Sequence, residues 1–219
     1  MAKVEIKSIA GSVLYTADIE DSVPSGSQLR AALEKAVSDR ANLRYADLRN
    51  ASLVGASLRY ASLDRASLVG ASLDRASLDR ASLVGASLDR ASLVGASLDG
   101  ASLRYASLVG ASLDGASLWG ASLVGASLWG AKLADGLTLV GKRPIFMLGP
   151  IGSRSDTMIG HVTNKGLRIS TGCFRLGTPE EFTSALDAEH GTNHFAREYL
   201  CALELLKLHA ELYPAEKGE

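Results

Sequence analysis

From Ala41 to Asp135 the apolar positions fall on one five-residue rhythm. Nineteen consecutive units carry Ala at the first place and Leu at the third, and the other places vary. An α-helix turns about 100° per residue, so a five-residue step moves each Leu about 140° around the axis. No apolar stripe would form. A flat strand fails differently, because an odd repeat sends successive leucines to opposite faces. Within one unit, however, Ala and Leu are two residues apart and point the same way in an extended chain. If the chain bends after each such piece, every Ala and Leu turns inward and the path closes into a β-solenoid. Its coils then hydrogen-bond to one another at about the 4.8 Å strand spacing.

The run opens Ala41-Asn42-Leu43-Arg44-Tyr45 and Ala46-Asp47-Leu48-Arg49-Asn50, then settles into Ala51-Ser52-Leu53-Val54-Gly55. It ends at Ala131-Lys132-Leu133-Ala134-Asp135. These units resemble the pentapeptide-repeat proteins over the whole central stretch. The resemblance implies a right-handed, four-sided parallel β-helix with four units per coil. It also places the central Leu and the preceding Ala inside, as with Ala61 and Leu63 or Ala66 and Leu68. The implied core is Leu43, Leu48, Leu53, Leu58, Leu63, Leu68, Leu73, Leu78, Leu83, Leu88, Leu93, Leu98, Leu103, Leu108, Leu113, Leu118, Leu123, Leu128 and Leu133. Ten of the nineteen units end in Gly, which suits a corner with positive φ.

The flanks predict a mainly β protein with two terminal modules around the array. Residues 1–40 read as an N-terminal cap. Lys3–Ile9 and Ser12–Glu20 alternate as a hairpin, Ser22–Gly26 is a loop, and a helix follows with Ser27 as its N-cap. That helix would lay Leu29, Ala32, Leu33, Ala36 and Val37 over the open Leu43 layer. Residues 136–219 read as an α+β cap with two helices. Strands are expected at Pro144–Leu148, Thr157–Thr163 and Leu167–Thr171, with a turn at Asn164-Lys165-Gly166. Thr178-Pro179-Glu180-Glu181 is a capping box that starts one helix. Gly191 stops it, and a second helix runs from near Thr192 to before Pro214. The second helix carries two apolar stripes. Phe195, Tyr199, Ala202, Leu203, Leu206 and Ala210 form one, and Cys201, Leu205, Leu208 and Leu212 form the other. The second stripe needs a partner, either the preceding helix or a second copy of the chain, which would make a homodimer through Leu205, Leu208 and Leu212.

If four units close a coil, residues twenty apart stack. Arg44 then lies over Asp64, Arg59 over Asp79, Tyr45 over Arg65 and Tyr60 over Arg80. Trp119 and Trp129 fall on different faces and read either as a recognition surface or, the preferred expectation, as packing near the C-terminal cap.

Charge changes the picture by what it excludes. The chain's formal net charge is −1, and the array holds nine basic against eight acidic residues, or +1. Neither a basic patch for phosphate nor an anionic field appears, so no nucleic-acid partner is expected. No apolar run reaches membrane-spanning length and no membrane contact is expected. Two cysteines, Cys173 and Cys201, and the lack of a secretory leader point to a reducing cytoplasmic setting.

Candidate chemistry is sparse. Gly149–Asp156 lacks the spacing and Lys of a P-loop and reads as a tight turn. His190 and His194 stand four apart, but Gly191 and Thr192 break the helix between them. Cys173 and His161 would pair only if the fold brought them together. No catalytic residue, metal, cofactor or small-molecule substrate is therefore expected.

Sixteen units repeat Ser at the second place, and the variable pairs come from a small set, while the flanks have ordinary composition. That monotony points to a consensus-designed array and a non-enzymatic structural scaffold. The alternative comes from the resemblance: some pentapeptide-repeat proteins are DNA mimics that engage DNA gyrase. The near-neutral array and the absence of loop insertions depart from that pattern.

Overall fold

The computed structural model describes residues 1–141, 143–152, 156–171 and 174–214. It divides into two compact units, Met1–Gly136 and Leu137–Glu219.

In the first unit, β1 (Ala2–Lys7) and β2 (Val13–Ile19) form an antiparallel hairpin. Helix α1 (Ser25–Ser38) follows with Pro24 as its N-cap and no side-chain cap. Ser27 therefore lies inside the helix, because Pro24, with its φ fixed near the helical range, starts the helix three residues early. Ala32, Leu33 and Ala36 are its buried face.

The array obeys the twenty-residue coil. Parallel bridges join Asn42 to Ser62, Ser62 to Ser82, Ser82 to Ser102 and Ser102 to Ser122, with the same step on the other three sides. Three amides per interior unit carry the stacking. Leu63 N donates to Ser82 O, Arg65 N to Val84 O and Ser67 N to Ala46 O. A fourth bond, such as Ala66 N to Leu63 O, closes the corner. The corner needs its fifth residue at positive φ, and all nineteen fifth places adopt it, from Tyr45 at 63° to Asp135 at 59°. Nine of those places are not Gly, so the corner is imposed by the coil rather than by residue choice.

Sixteen of the nineteen array leucines are buried, as are Ala61 and Ala66. Leu118, Leu123 and Leu133 are half-buried. All three belong to the last coil, which has no further coil of the array stacked beyond it.

The first coil would present a bare edge of backbone groups. The N-terminal segment meets that edge with specific donors and acceptors. Asp47 N donates to Lys7 O at 2.8 Å and Ile9 N to Tyr45 O at 2.8 Å. From α1, Arg30 Nη1 donates to Val54 O at 3.0 Å, while Glu34 Oε1 accepts Ser57 N at 2.9 Å.

The second unit is an antiparallel sheet in the order β3 (Ile145–Ile151), β4 (Asp156–Thr163), β5 (Gly166–Thr171) and β6 (Phe174–Gly177). The short β6 carries no alternation that the sequence could display. Helices α2 (Pro179–His190) and α3 (His194–Leu212) pack on the sheet through Met158, Ile169, Phe182, Leu186, Tyr199, Leu203 and Leu206. The capping box is formed: Glu181 N donates to Thr178 Oγ1 at 3.2 Å, and Thr178 N to Glu181 Oε2 at 2.8 Å.

Candidate functional site

The surface of the array is built from its second, fourth and fifth places, which stack in columns twenty residues apart. Arg44 Nε stands 3.9 Å from Asp64 Oδ2, and Arg59 Nε 3.6 Å from Asp79 Oδ2. Arg65 lies 5.7 Å from the Tyr45 ring centroid, and its Nη1 donates to the Tyr45 hydroxyl at 2.6 Å. Arg80 repeats this on Tyr60 at 5.8 Å and 3.2 Å. Each pair joins neighbouring coils, and each is exposed enough to contribute only about 0–1 kcal/mol.

A second set of contacts is stronger and was not anticipated. The fourth-place amide has no partner in the coil-to-coil ladder, which leaves it to water or to a side chain. In the first two units the second-place side chain accepts it: Arg44 N donates to Asn42 Oδ1 at 3.1 Å and Arg49 N to Asp47 Oδ1 at 3.3 Å. Hydrogen bonds from Arg49 also hold the Asp47 carboxyl below its ordinary pKa. In later units Ser stands at the second place up to Ser127, and where the fourth place one coil earlier is Asp64, Asp74, Asp79, Asp89 or Asp99, that carboxylate accepts the serine hydroxyl. Asp64 Oδ1 accepts the Ser82 hydroxyl and, at 3.2 Å, Val84 N. Asp74 does the same for Ser92 and Val94 N, Asp89 for Ser107 and Val109 N, and Asp99 for Ser117 and Trp119 N. Asp79 accepts the hydroxyls of Ser97 and Ser77. At Asp114 the matching second place is Lys132, so no serine hydroxyl stands there to donate. The signal in the sequence was an Asp followed eighteen residues later by Ser, which has meaning only once the coil length is known.

Trp119 and Trp129 are 59% and 61% exposed, so neither is packed away as expected. Both lie in fourth places, which point outward from the corner.

The sequence's chemical candidates are not brought together. His190 ends α2 and His194 begins α3, separated by the C-cap Gly191 and the N-cap Asn193, one residue beyond the expected start. Among the described residues no three His, Cys, Asp or Glu side chains cluster to hold a metal. His161 is buried on β4, and neither ring nitrogen has a hydrogen-bond partner. Burial pushes its pKa down to about 4. Cys173, its suggested partner, lies outside the described residues, as do residues 153–155 of the Gly149–Asp156 segment. The described part of that segment packs tightly. Gly152, at φ 69°, donates its amide to Glu198 Oε2 at 2.9 Å, and a Cβ there would fall 2.0 Å from Tyr199 Cζ.

On α3 the first stripe is interior, with Tyr199, Ala202, Leu203 and Leu206 buried. Leu205, Leu208 and Leu212 of the second stripe are 51%, 49% and 64% exposed, and Cys201 is exposed and free. No described helix is long and apolar enough to cross a membrane.

A family model described as pentapeptide repeats matches in eight copies, covering residues 30–59, 39–75, 56–93, 81–120 and 91–130. No curated protein matches the chain. Among solved structures, HetL of Nostoc sp. strain PCC 7120, a pentapeptide-repeat protein involved in heterocyst differentiation regulation, is 46% identical over 42% of each chain, with a TM-score of 0.40. Rfr23 of Cyanothece 51142 is 35% identical over 44% of this chain and 59% of its own, with a TM-score of 0.30. The protein alr5209 of Nostoc PCC 7120 is 32% identical over 47% of this chain and 78% of its own, with a TM-score of 0.29. The chain thus spans less than half the length of HetL and under two thirds of Rfr23.

Proposed function

The chain belongs to the pentapeptide-repeat family, and on that premise we propose that it is a non-enzymatic structural scaffold, a consensus-designed solenoid with no natural ligand. Family membership implies a right-handed β-helix, and the twenty-residue bridges give it four sides. The N-terminal hairpin and α1 serve as its cap, meeting the first coil's edge through Lys7, Arg30 and Glu34.

One observation carries the reading. The array carries nine basic against eight acidic residues, so the carboxylates of Asp64, Asp74, Asp79, Asp89 and Asp99, which accept serine hydroxyls across the coils, build no net anionic field. Arg44 and Arg59 further offset two of them. A gyrase-binding DNA mimic would need a strong negative surface to compete for a phosphate-binding saddle. The experiment is gyrase supercoiling at micromolar protein. The scaffold reading expects no inhibition, and inhibition would replace it with the interaction reading.

A further inference from the structure

We propose that the five Asp–Ser clasps make the cohesion of successive coils conditional on ionised carboxylates, so that acid loosens the array from within. The proposal goes beyond the scaffold reading and rests on the clasp geometry alone. Each clasp crosses from one coil to the next, and together the five occupy all four sides of the array. Four of them also hold a backbone amide that the parallel ladder leaves without a partner. A hydrogen bond to a carboxylate is roughly twice as strong as one to a neutral acceptor. Protonation therefore weakens the hydroxyl and amide bonds together.

The charged neighbours differ from clasp to clasp. Asp64 faces Arg44 at 3.9 Å, and Asp79 faces Arg59 at 3.6 Å on the coil before and Asp99 on the coil after. Asp74 lies between Val54 and Val94 in its column, and Asp89 between Val69 and Val109. Along the chain, Arg65, Arg75, Arg80 and Arg90 follow the first four aspartates, while Gly100 follows Asp99. For Asp79, hydrogen bonds from Ser97 and Ser77 together with Arg59 hold the carboxyl below its ordinary pKa. At Asp79 the ionised form therefore contributes stability above the unfolded pKa, and that stability is lost as pH falls through the folded one.

The test is thermal melting of the full chain from pH 6 to pH 3, followed by the fluorescence of Trp119 and Trp129, both of which lie in the array. The expected result is a lower midpoint at pH 3 than at pH 6. A variant with Asn at positions 64, 74, 79, 89 and 99 keeps oxygen acceptors but has no charge to lose, and it should fall by less than half as much. Asp114→Asn, at a carboxylate without a clasp, should behave as the parent. Should the fivefold variant not fold, Asp79→Asn alone decides, because its deficit against the parent must shrink as pH falls. A pH-independent parent midpoint, or an equal fall in parent and Asn variants, would overturn the proposal.

Discussion

The carboxylate of Glu34 on α1 accepts the backbone amide of Ser57 in the first coil at 2.9 Å. Ser57 N occupies the position that a serine amide of a later coil fills by donating to the coil before, as Ser77 N does to Ala56 O. Glu34 thus supplies a carbonyl-like acceptor where the array has no preceding coil. Glu34→Ala should lower unfolding stability by about 1 kcal/mol, the value of a partly exposed hydrogen bond to a charged group. Glu34→Gln should recover part of it. Urea denaturation of the three proteins measures this, and equal midpoints would remove Glu34 from the edge.

How much of this was legible in the sequence depended on distance along the chain. The five-residue period forbade helix and flat strand, and the family resemblance placed Arg44 over Asp64 and Tyr45 over Arg65. What stayed hidden had no periodic mark. Glu34 and Arg30 look like ordinary solvated residues of a helix until the first coil's edge is placed against them. The second-place serines mark only the repeat, because an Asp–Ser pair eighteen residues apart carries no signal without the coil length. Pro24 displaced Ser27 as the helix start, since a fixed φ decided what a hydroxyl was expected to decide.

Gly115 separates backbone strain from crowding. Its φ is 64°, and a Cβ there would come no closer than 3.9 Å to Gly95. Space is ample, so the cost of a side chain is conformational. Gly115→Ala should destabilise the array by about 1–2 kcal/mol. Gly115→Asn should cost less, because Asn enters the left-handed region more readily. Denaturant midpoints read by tryptophan fluorescence give the order, and Ala matching Asn would show that the corner tolerates any residue.

His161 predicts a pH dependence confined to the second unit. Its folded pKa of about 4 lies below the ordinary 6.5 because burial disfavours the imidazolium. The unfolded state then binds the proton more tightly, so stability is full above about pH 6.5 and falls as pH drops toward 4. At pH 5 the loss is about 2 kcal/mol relative to pH 7. Helical circular dichroism at about 222 nm, dominated by α2 and α3, follows this unit. His161→Phe should flatten the dependence between pH 7 and 5. A variant as pH-sensitive as the parent would assign the effect elsewhere.

The exposed stripe of Cys201, Leu205, Leu208 and Leu212 has spacings of four, three and four, the seam of a helix pair. In an antiparallel self-pairing Leu205 would meet Leu208 of the second copy, and Cys201 would meet Leu212. Light scattering over a concentration series should then give twice the 22.9 kDa of one chain. Leu205→Glu with Leu208→Glu should return it to one chain. A mass that stays at one chain throughout would leave the stripe as surface.

Removing one whole coil tests whether the array is additive. Deleting residues 71–90 brings Ser52 beside Ser92 and Asp64 beside Ser102, in the same relative places as the bridge and clasp they replace. Arg59 would meet Asp99 in place of Asp79, whereas Tyr60 would lose Arg80 to Gly100. Nearest-neighbour stacking makes the loss one coil's contribution, with the ends untouched. The shortened chain should fold with an unchanged fluorescence spectrum and a smaller denaturant slope, since less surface is exposed on unfolding. Its midpoint should fall modestly, because the clasps of Asp74, Asp79 and Asp89 leave with the coil while those of Asp64 and Asp99 persist. An unfolded or aggregated product would mean that the coils are not interchangeable, and that register depends on the particular pairs at residues 71–90.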